Sequence, residues 1–167
     1  MPEIRRISSR STFGSLRGRA ILRAIIEAPN RRGDRSVTAE ESRNTVMEFL
    51  AAREKGDAEA IRRLSSDDLC WEPPGPPVHA VKGREAVLDV MANAGAQYFD
   101  LPTMEVDVHK VVADGDTVVI IQSVRAKTAK GADYSNLYCW VYTCKDGKVT
   151  RMQEFTDTQH FAEIMNG

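Results

Sequence analysis

The chain has 167 residues, 42% of them apolar and 28% charged, with a formal net charge of −1. That is enough for one ordinary globular domain and too little for two comfortable ones, and no apolar run nears the roughly 20 residues of a membrane span. Three cysteines, Cys70, Cys139 and Cys144, form no CxxC pair, which argues against a disulfide scaffold and a structural zinc site and fits reduced thiols in a cytoplasmic setting.

The small net charge hides an asymmetry. Residues 1–36 carry nine Arg and three acidic residues, while residues 37–167 carry a charge of −7. The first stretch is rich in Arg and Ser and holds one short apolar run, Ala20 to Ile26, interrupted by Arg23. It reads as a basic extension, poorly ordered by composition; an organellar transit peptide and a basic arm are the other readings of the same pattern. The run Pro29-Asn30-Arg31-Arg32-Gly33-Asp34 marks a boundary, and one α+β domain is expected over 37–167.

Thr38 stands three residues before Glu41, the signature of a capped helix start, and Val46, Phe49 and Leu50 follow at helical spacing. Gly56 ends that helix and Asp57 caps a short second one with Ile61 and Leu64 inward. Leu69 to Glu72 reads as a strand stopped by Pro73-Pro74-Gly75-Pro76-Pro77, since proline has no N–H for a ladder. Gly83 to Ala94 is a third helix, with Ala86, Val87, Val90, Met91 and Ala94 expected on its inner face. Four strands follow: Met104–Val112, Thr117–Ala129, Tyr134–Cys144 and Lys148–Phe155. The turns between them are Asp114-Gly115-Asp116, Lys130-Gly131 and Asp146-Gly147. Asp157 caps a closing helix through Phe161, Ile164 and Met165. No Walker A, GxGxxG, HExxH or GxSxG motif is present, which argues against a nucleotide enzyme, a zinc protease and a serine hydrolase.

An antiparallel sheet of this length twists and curls. Curling over about three helices, it forms a cone-shaped α+β barrel whose concave face decides what it binds. In Tyr134–Cys144 one face carries Tyr134, Asn136, Tyr138, Trp140 and Tyr142, aromatic with polar handles, and reads as pocket lining or core. In Lys148–Phe155 one face is Thr150, Met152 and Glu154, the other Val149, Arg151, Gln153 and Phe155. Glu154 on the concave face is a carboxylate whose desolvation raises its pKa toward general acid or base work; the plainer readings are a solvent-facing Glu or a partner for Arg125. Glu72 is the second candidate: Pro73 biases it to an extended backbone and fixes the direction of its carboxylate, although a surface position beside the proline loop also fits. His79, His109 and His160 lack ligand spacing, so no metal site is expected, and proton transfer by carboxylates needs no cofactor.

From about Ser42 to Met165 the chain resembles the SnoaL-like and ketosteroid isomerase-like branch of the nuclear transport factor 2-like superfamily. The likeness lies in Glu54-Lys55-Gly56-Asp57, Asp67 to Gly75, Val81 to Val87, and Tyr134 to Tyr138 leading through Asp146-Gly147-Lys148-Val149 to Glu154-Phe155-Thr156-Asp157. It implies a cone-shaped barrel with a deep pocket for a small hydrophobic molecule and a homodimer through the outer sheet face. Glu72 before Pro73 resembles the catalytic Asp of the isomerases. The helix position of their oxyanion-hole Tyr looks like Phe49, which cannot donate, and the strand position looks like Tyr138, which can. Glu154 resembles the final-strand Asp of limonene epoxide hydrolases, but Arg125 is followed by Ala126 and Lys127, so their Arg–x–Asp pair is missing.

Two functions fit. One is an isomerase, cyclase or lyase in which Glu72, Tyr138 and Glu154 act on a hydrophobic carbonyl substrate, with Phe49, Trp71, Asn136, Trp140 and Met152 around it. The other is a non-catalytic module for binding a hydrophobic ligand or for dimerisation. The basic start alone gives little ground for nucleic-acid binding.

Overall fold

A computed structural model describes residues 37–167; the basic extension expected over 1–36 lies outside the described residues. The elements are α1 (Ala39–Lys55), α2 (Ala58–Leu64), β1 (Ser65–Glu72), β2 (Val81–Lys82), α3 (Arg84–Tyr98), β3 (Phe99–Asp114), β4 (Thr117–Thr128), β5 (Asp133–Lys145), β6 (Lys148–Thr156) and α4 (Thr158–Asn166), with a 3-10 turn at Pro77–His79. The order matches the sequence reading, with β1 and β3 beginning earlier, α3 ending later and the two-residue β2 added. Thr38 and Glu41 form a reciprocal capping box at the start of α1. Gly56, at φ 66°, turns the chain out of its last turn in the left-handed conformation that glycine tolerates best. Among the described residues no helix is long and apolar enough to cross a membrane.

Six strands form one sheet in the order β2-β1-β6-β5-β4-β3. All pairs are antiparallel except β1 with β6, which run parallel. The β5–β6 turn places Asp146 at φ 51° and Gly147 at φ 70°, two consecutive positive φ values of the kind that match a hairpin's twist. Register shifts interrupt β1–β6, β3–β4 and β5–β6, and each such bulge bends the strand that carries it.

The concave face packs on α1 and α3. Val46, Phe49, Val87, Leu69, Ile120 and Met152 are fully buried there. The hydroxyl of Ser42, also fully buried, donates to the Gly115 carbonyl at 2.8 Å and ties α1 to the β3–β4 turn. Two face assignments change. On α3, Ala86 and Val90 are exposed, while Val87 is buried and Leu88 and Met91 pack on the core. On β6, Val149 is fully buried although Arg151 points out. Thr143 pairs with Arg151 but Cys144 pairs with Val149, so Thr150 is an inserted residue that brings Val149 back to the inner side.

Phe49 has no exposed surface. Phe49→Ala is expected to lower unfolding stability by about 3–5 kcal/mol, read as a drop in the urea midpoint. A loss below about 1 kcal/mol would show that the ring lines a hollow instead of filling the core.

Candidate functional site

Pro73 and Pro74 end β1. Its last pair with β6 is Glu72 opposite Gln153, after which Glu154, Phe155 and Thr156 have β5 on one side and no strand on the other among the described residues. The gap is a cleft of about 390 Å³, whose lining includes Glu72, Pro73, Pro74, Glu154, Phe155 and Thr158.

Glu154 is the acidic group of this cleft that also belongs to the concave side. It stands opposite Trp140 on β5. The indole Nε1–H of Trp71 donates to its Oε2 at 3.1 Å, because Trp71 pairs with Met152 and thus lies on the same face of the β1–β6 pair. Burial pushes the Glu154 carboxyl up to about 7, against the opposing pull of the Trp71 hydrogen bond and the positive charge of Arg53. Trp71 thus fixes one oxygen, and its pull toward the ionised form is smaller than the opposite effect of burial.

Next to it lies a pair of phenols. The hydroxyls of Tyr134 and Tyr138 are 2.6 Å apart. Tyr138 stands opposite Thr156, two residues along β6 from Glu154. Burial, reinforced by the bond to Tyr134, raises Tyr138 far above the ordinary phenol value, and burial also raises Tyr134; both are neutral hydrogen-bonding groups at any working pH. Tyr142 is pushed up to about 12 by burial, with Arg53 opposing the shift. The Asn136 amide Nδ2 donates to the Asp157 carbonyl at 3.0 Å and is thereby committed to holding the start of α4.

Glu72 takes another direction. It is one residue from Trp71 and so lies on the opposite face. Arg151 donates to its Oε1 at 2.6 Å and Gln153 to its Oε2 at 2.8 Å, and both donors sit on the outer side of β6. The carboxylate borders the same cleft as Glu154, from the opposite face of the β1–β6 pair, with both of its oxygens engaged by these donors. Phe49, Trp140 and Met152 are enclosed. They line neither the Glu154 cleft nor a second one of about 560 Å³ beside Tyr134 and His160. Trp140 stacks on Tyr142 with centroids 6.0 Å apart. Arg125 pairs with Glu105 at 3.4 Å, not with Glu154.

Arg53 is a residue that the sequence reading misses. Its guanidinium lies 5.9 Å from the Phe49 ring centroid, and its charge acts on both Glu154 and Tyr142. A signal exists: Val46, Phe49 and Arg53 fall at i, i+3 and i+7 on α1, so a cation continues the apolar stripe. Among the described residues no group of His, Cys, Asp or Glu could hold a metal ion.

No protein of curated function matches the chain in sequence. Solved structures match it in fold. An NTF2-like protein from Burkholderia xenovorans LB400 is 22% identical over 78% of this chain and 99% of its own, with a TM-score of 0.66. TerC, crystallised with polyporic acid, is 20% identical over 76% and 99%, with a TM-score of 0.65. An LEH-like epoxide hydrolase from M. tuberculosis is 20% identical over 77% and 91%, with a TM-score of 0.61. At such identities these likenesses speak for the fold and leave the chemistry open. A sequence model of the SnoaL-like domain matches residues 46–152. With that match across more than half of its length, and a curved sheet closed on its helices as in the NTF2-like structures, the chain belongs to the SnoaL-like domain family.

Proposed function

We propose that the protein is a cofactor-independent acid–base enzyme of isomerase, cyclase or lyase type, with Glu154 as its proton-transfer group and a small hydrophobic carbonyl compound as substrate. One observation carries this reading: a carboxyl group that borders an open cleft is fixed at one oxygen by an indole N–H and poised near neutrality by burial. General bases work best with a pKa near the working pH. As carboxylate, Glu154 takes a proton alpha to the carbonyl; as acid, it returns the proton to a neighbouring carbon or oxygen. Tyr138 is the donor toward the developing enolate oxygen, and a pre-aimed donor contributes about 3 kcal/mol there. Pro73, Pro74 and Phe155 supply apolar wall. Glu72 is assigned a supporting role, holding the end of β1 to β6 through Arg151 and Gln153. TerC shares this fold and was crystallised with a small organic ligand, which supports a small-molecule site here. Three free thiols favour a reducing, cytoplasmic setting.

We also infer a homodimer through the outer sheet face. Val112, Val119 and Val141 stand in register across β3, β4 and β5, and Ile121, Cys139 and Phe155 across β4, β5 and β6. Leu137 and Phe155 are more than half exposed. An apolar band of this kind on a folded domain favours a second surface over water, and a second copy presents the same band.

Three measurements test these readings. In D₂O at pH 7, NMR should show deuterium entering the alpha positions of 2-tetralone with added protein. The enzymatic rate should rise with pH and level off above about 7, where Glu154 is ionised. Glu154→Gln should lower it about 100-fold or more and Glu72→Gln by less than about threefold; equal rates for wild type and Glu154→Gln would leave only the non-catalytic binding module.

The same carboxyl should appear in stability. Its pKa is raised on folding from about 4.5 to about 7. The folded state therefore favours the protonated form, a contribution fully present below pH 4.5 and lost as pH rises through 7. Urea titrations should show Glu154→Gln gaining on wild type between pH 4.5 and 8 by up to roughly 3 kcal/mol. A pH-independent difference would mean that the group is not desolvated.

Leu137→Glu should convert a wild-type dimer to a folded monomer in sedimentation velocity, and a monomeric wild type at the same concentration would remove the dimer.

A further inference from the structure

β3 is the edge strand of the sheet on the side away from β2, and its pairing with β4 slips in the middle. Asp107 stands opposite Ser123 and Val108 opposite Gln122, but Lys110 stands opposite Ile121. His109 is therefore an inserted residue, and a bulge of this kind re-aims the side chain it carries. Asp107 and Ser123 lie on the outer face, because Val106 and the buried Val124 pair on the inner one. The ring of His109 joins them there. Its Nε2 is 2.6 Å from the Ser123 hydroxyl oxygen, and its Nδ1 is 3.8 Å from the Asp107 carboxylate.

A hydroxyl, an imidazole and a carboxylate in this order form the arrangement that activates a serine, and it is recognised by geometry, not by position in the chain. The missing GxSxG motif speaks only of serine hydrolases that carry their nucleophile on a strand-to-helix turn. Asp107 favours the tautomer with the proton on Nδ1, so Nε2 accepts from the Ser123 hydroxyl. Asp107 stands at ion-pair distance and beyond hydrogen-bond distance; catalytic contacts of this kind tighten when substrate binds.

The three residues have a cleft beside them. One row along the same face, two residues away on each strand, Glu105, Arg125 and Ser135 stand in register, and all three line the second cleft of about 560 Å³. Neighbouring rows on one face are about 7 Å apart, so a small ligand spans from the cleft to Ser123. The cleft is polar, with the Lys127–Asp133 ion pair in its wall. Arg125, held to Glu105 at 3.4 Å, places a cation one row from the Ser123 hydroxyl. Leu137 stands opposite Ser123 on β5 and belongs to the apolar band assigned to the dimer. The three residues thus lie at the rim of that band, on the side of the cleft.

We propose that Asp107, His109 and Ser123 form a second catalytic site, an esterase centre for a small ester whose alcohol or phenol part sits in the second cleft. Ser123 Oγ attacks the carbonyl carbon as its proton passes to His109 Nε2, and the carbonyl electron pair moves to oxygen, with the Arg125 cation one row away. The carbonyl re-forms, the bond from carbon to the alcohol oxygen breaks, and His109 gives its proton to that oxygen. Water then attacks the acyl-serine; His109 takes the proton of the water and returns it to Ser123 Oγ as the acid leaves. Asp107 orients the ring and offsets its charge while it is protonated. The site faces the side of the sheet opposite Glu154, so it stands or falls independently of the proton-transfer reading.

Two measurements on the full chain decide it: release of p-nitrophenolate from p-nitrophenyl acetate, and peptide mass mapping after treatment with a fluorophosphonate. The label should sit on Ser123. Ser123→Ala and His109→Gln should each lower turnover about 100-fold, and Asp107→Asn about tenfold or more, in kcat with KM unchanged. A hydrogen bond that only holds the edge strand leaves all three variants at the wild-type rate, which overturns the site. Loss with His109→Gln but not with Ser123→Ala means that a bare imidazole attacks the ester, and overturns the serine nucleophile. Asp107→Asn at the wild-type rate overturns the three-residue arrangement. Label on another residue, or none because a second copy covers Ser123, overturns the proposal as well. If a variant does not fold, labelling of the wild type still separates these outcomes.

Discussion

Pro73 and Pro74 have no backbone N–H, so β1 can add nothing to its ladder with β6 after Glu72. This is where β6, a central strand, loses one of its two neighbours partway along. The concave side is sealed by aromatic and aliphatic side chains, and the outer side is a plain sheet face. The early end of β1 opens the Glu154 end of the cone. The last residues of β6 are left beside the cleft, and the acidic one that falls there on the inner face is Glu154.

The electrostatics follow from that placement. A carboxyl buried among Trp71, Trp140 and the tyrosines loses hydration, and the single indole bond it gains does not replace what water supplied. Arg53 lies close enough to lower the pKa without neutralising the acid. Glu72, far earlier in the chain but adjacent across the β1–β6 pair, meets opposite conditions: two donors from the outer face and partial exposure. The two carboxylates border one cleft with separate tasks, one binding the strands together and the other held uncommitted.

Most of the architecture is legible in the sequence because its signals are local. Caps at Thr38 and Asp57, helical spacing through Val46 and Phe49, hairpin turns at Asp114-Gly115 and Asp146-Gly147, and strict alternation in β5 each depend on a few neighbouring residues. What escapes the sequence depends on pairing between distant segments. The face that Glu72 shares is set by the parallel register of β1 on β6, two strands far apart in the chain, and a shift of one residue reverses it. The bulge at Thr150 inverts the expected side of Val149 for the same reason. Arg53 is hidden because a cation on an apolar stripe has no meaning until the residues opposite are known. Glu154 is readable because alternation from Met152 carries to it without a bulge between.

The depth of Tyr138 links the site to the rest of the fold. In the proposed reaction a neutral phenol donates best to a developing oxyanion where water is excluded. The Tyr134 hydroxyl, 2.6 Å away, keeps that phenol paired inside the fold, and the same enclosure by the concave face that shelters it raises the Glu154 carboxyl on the neighbouring strand.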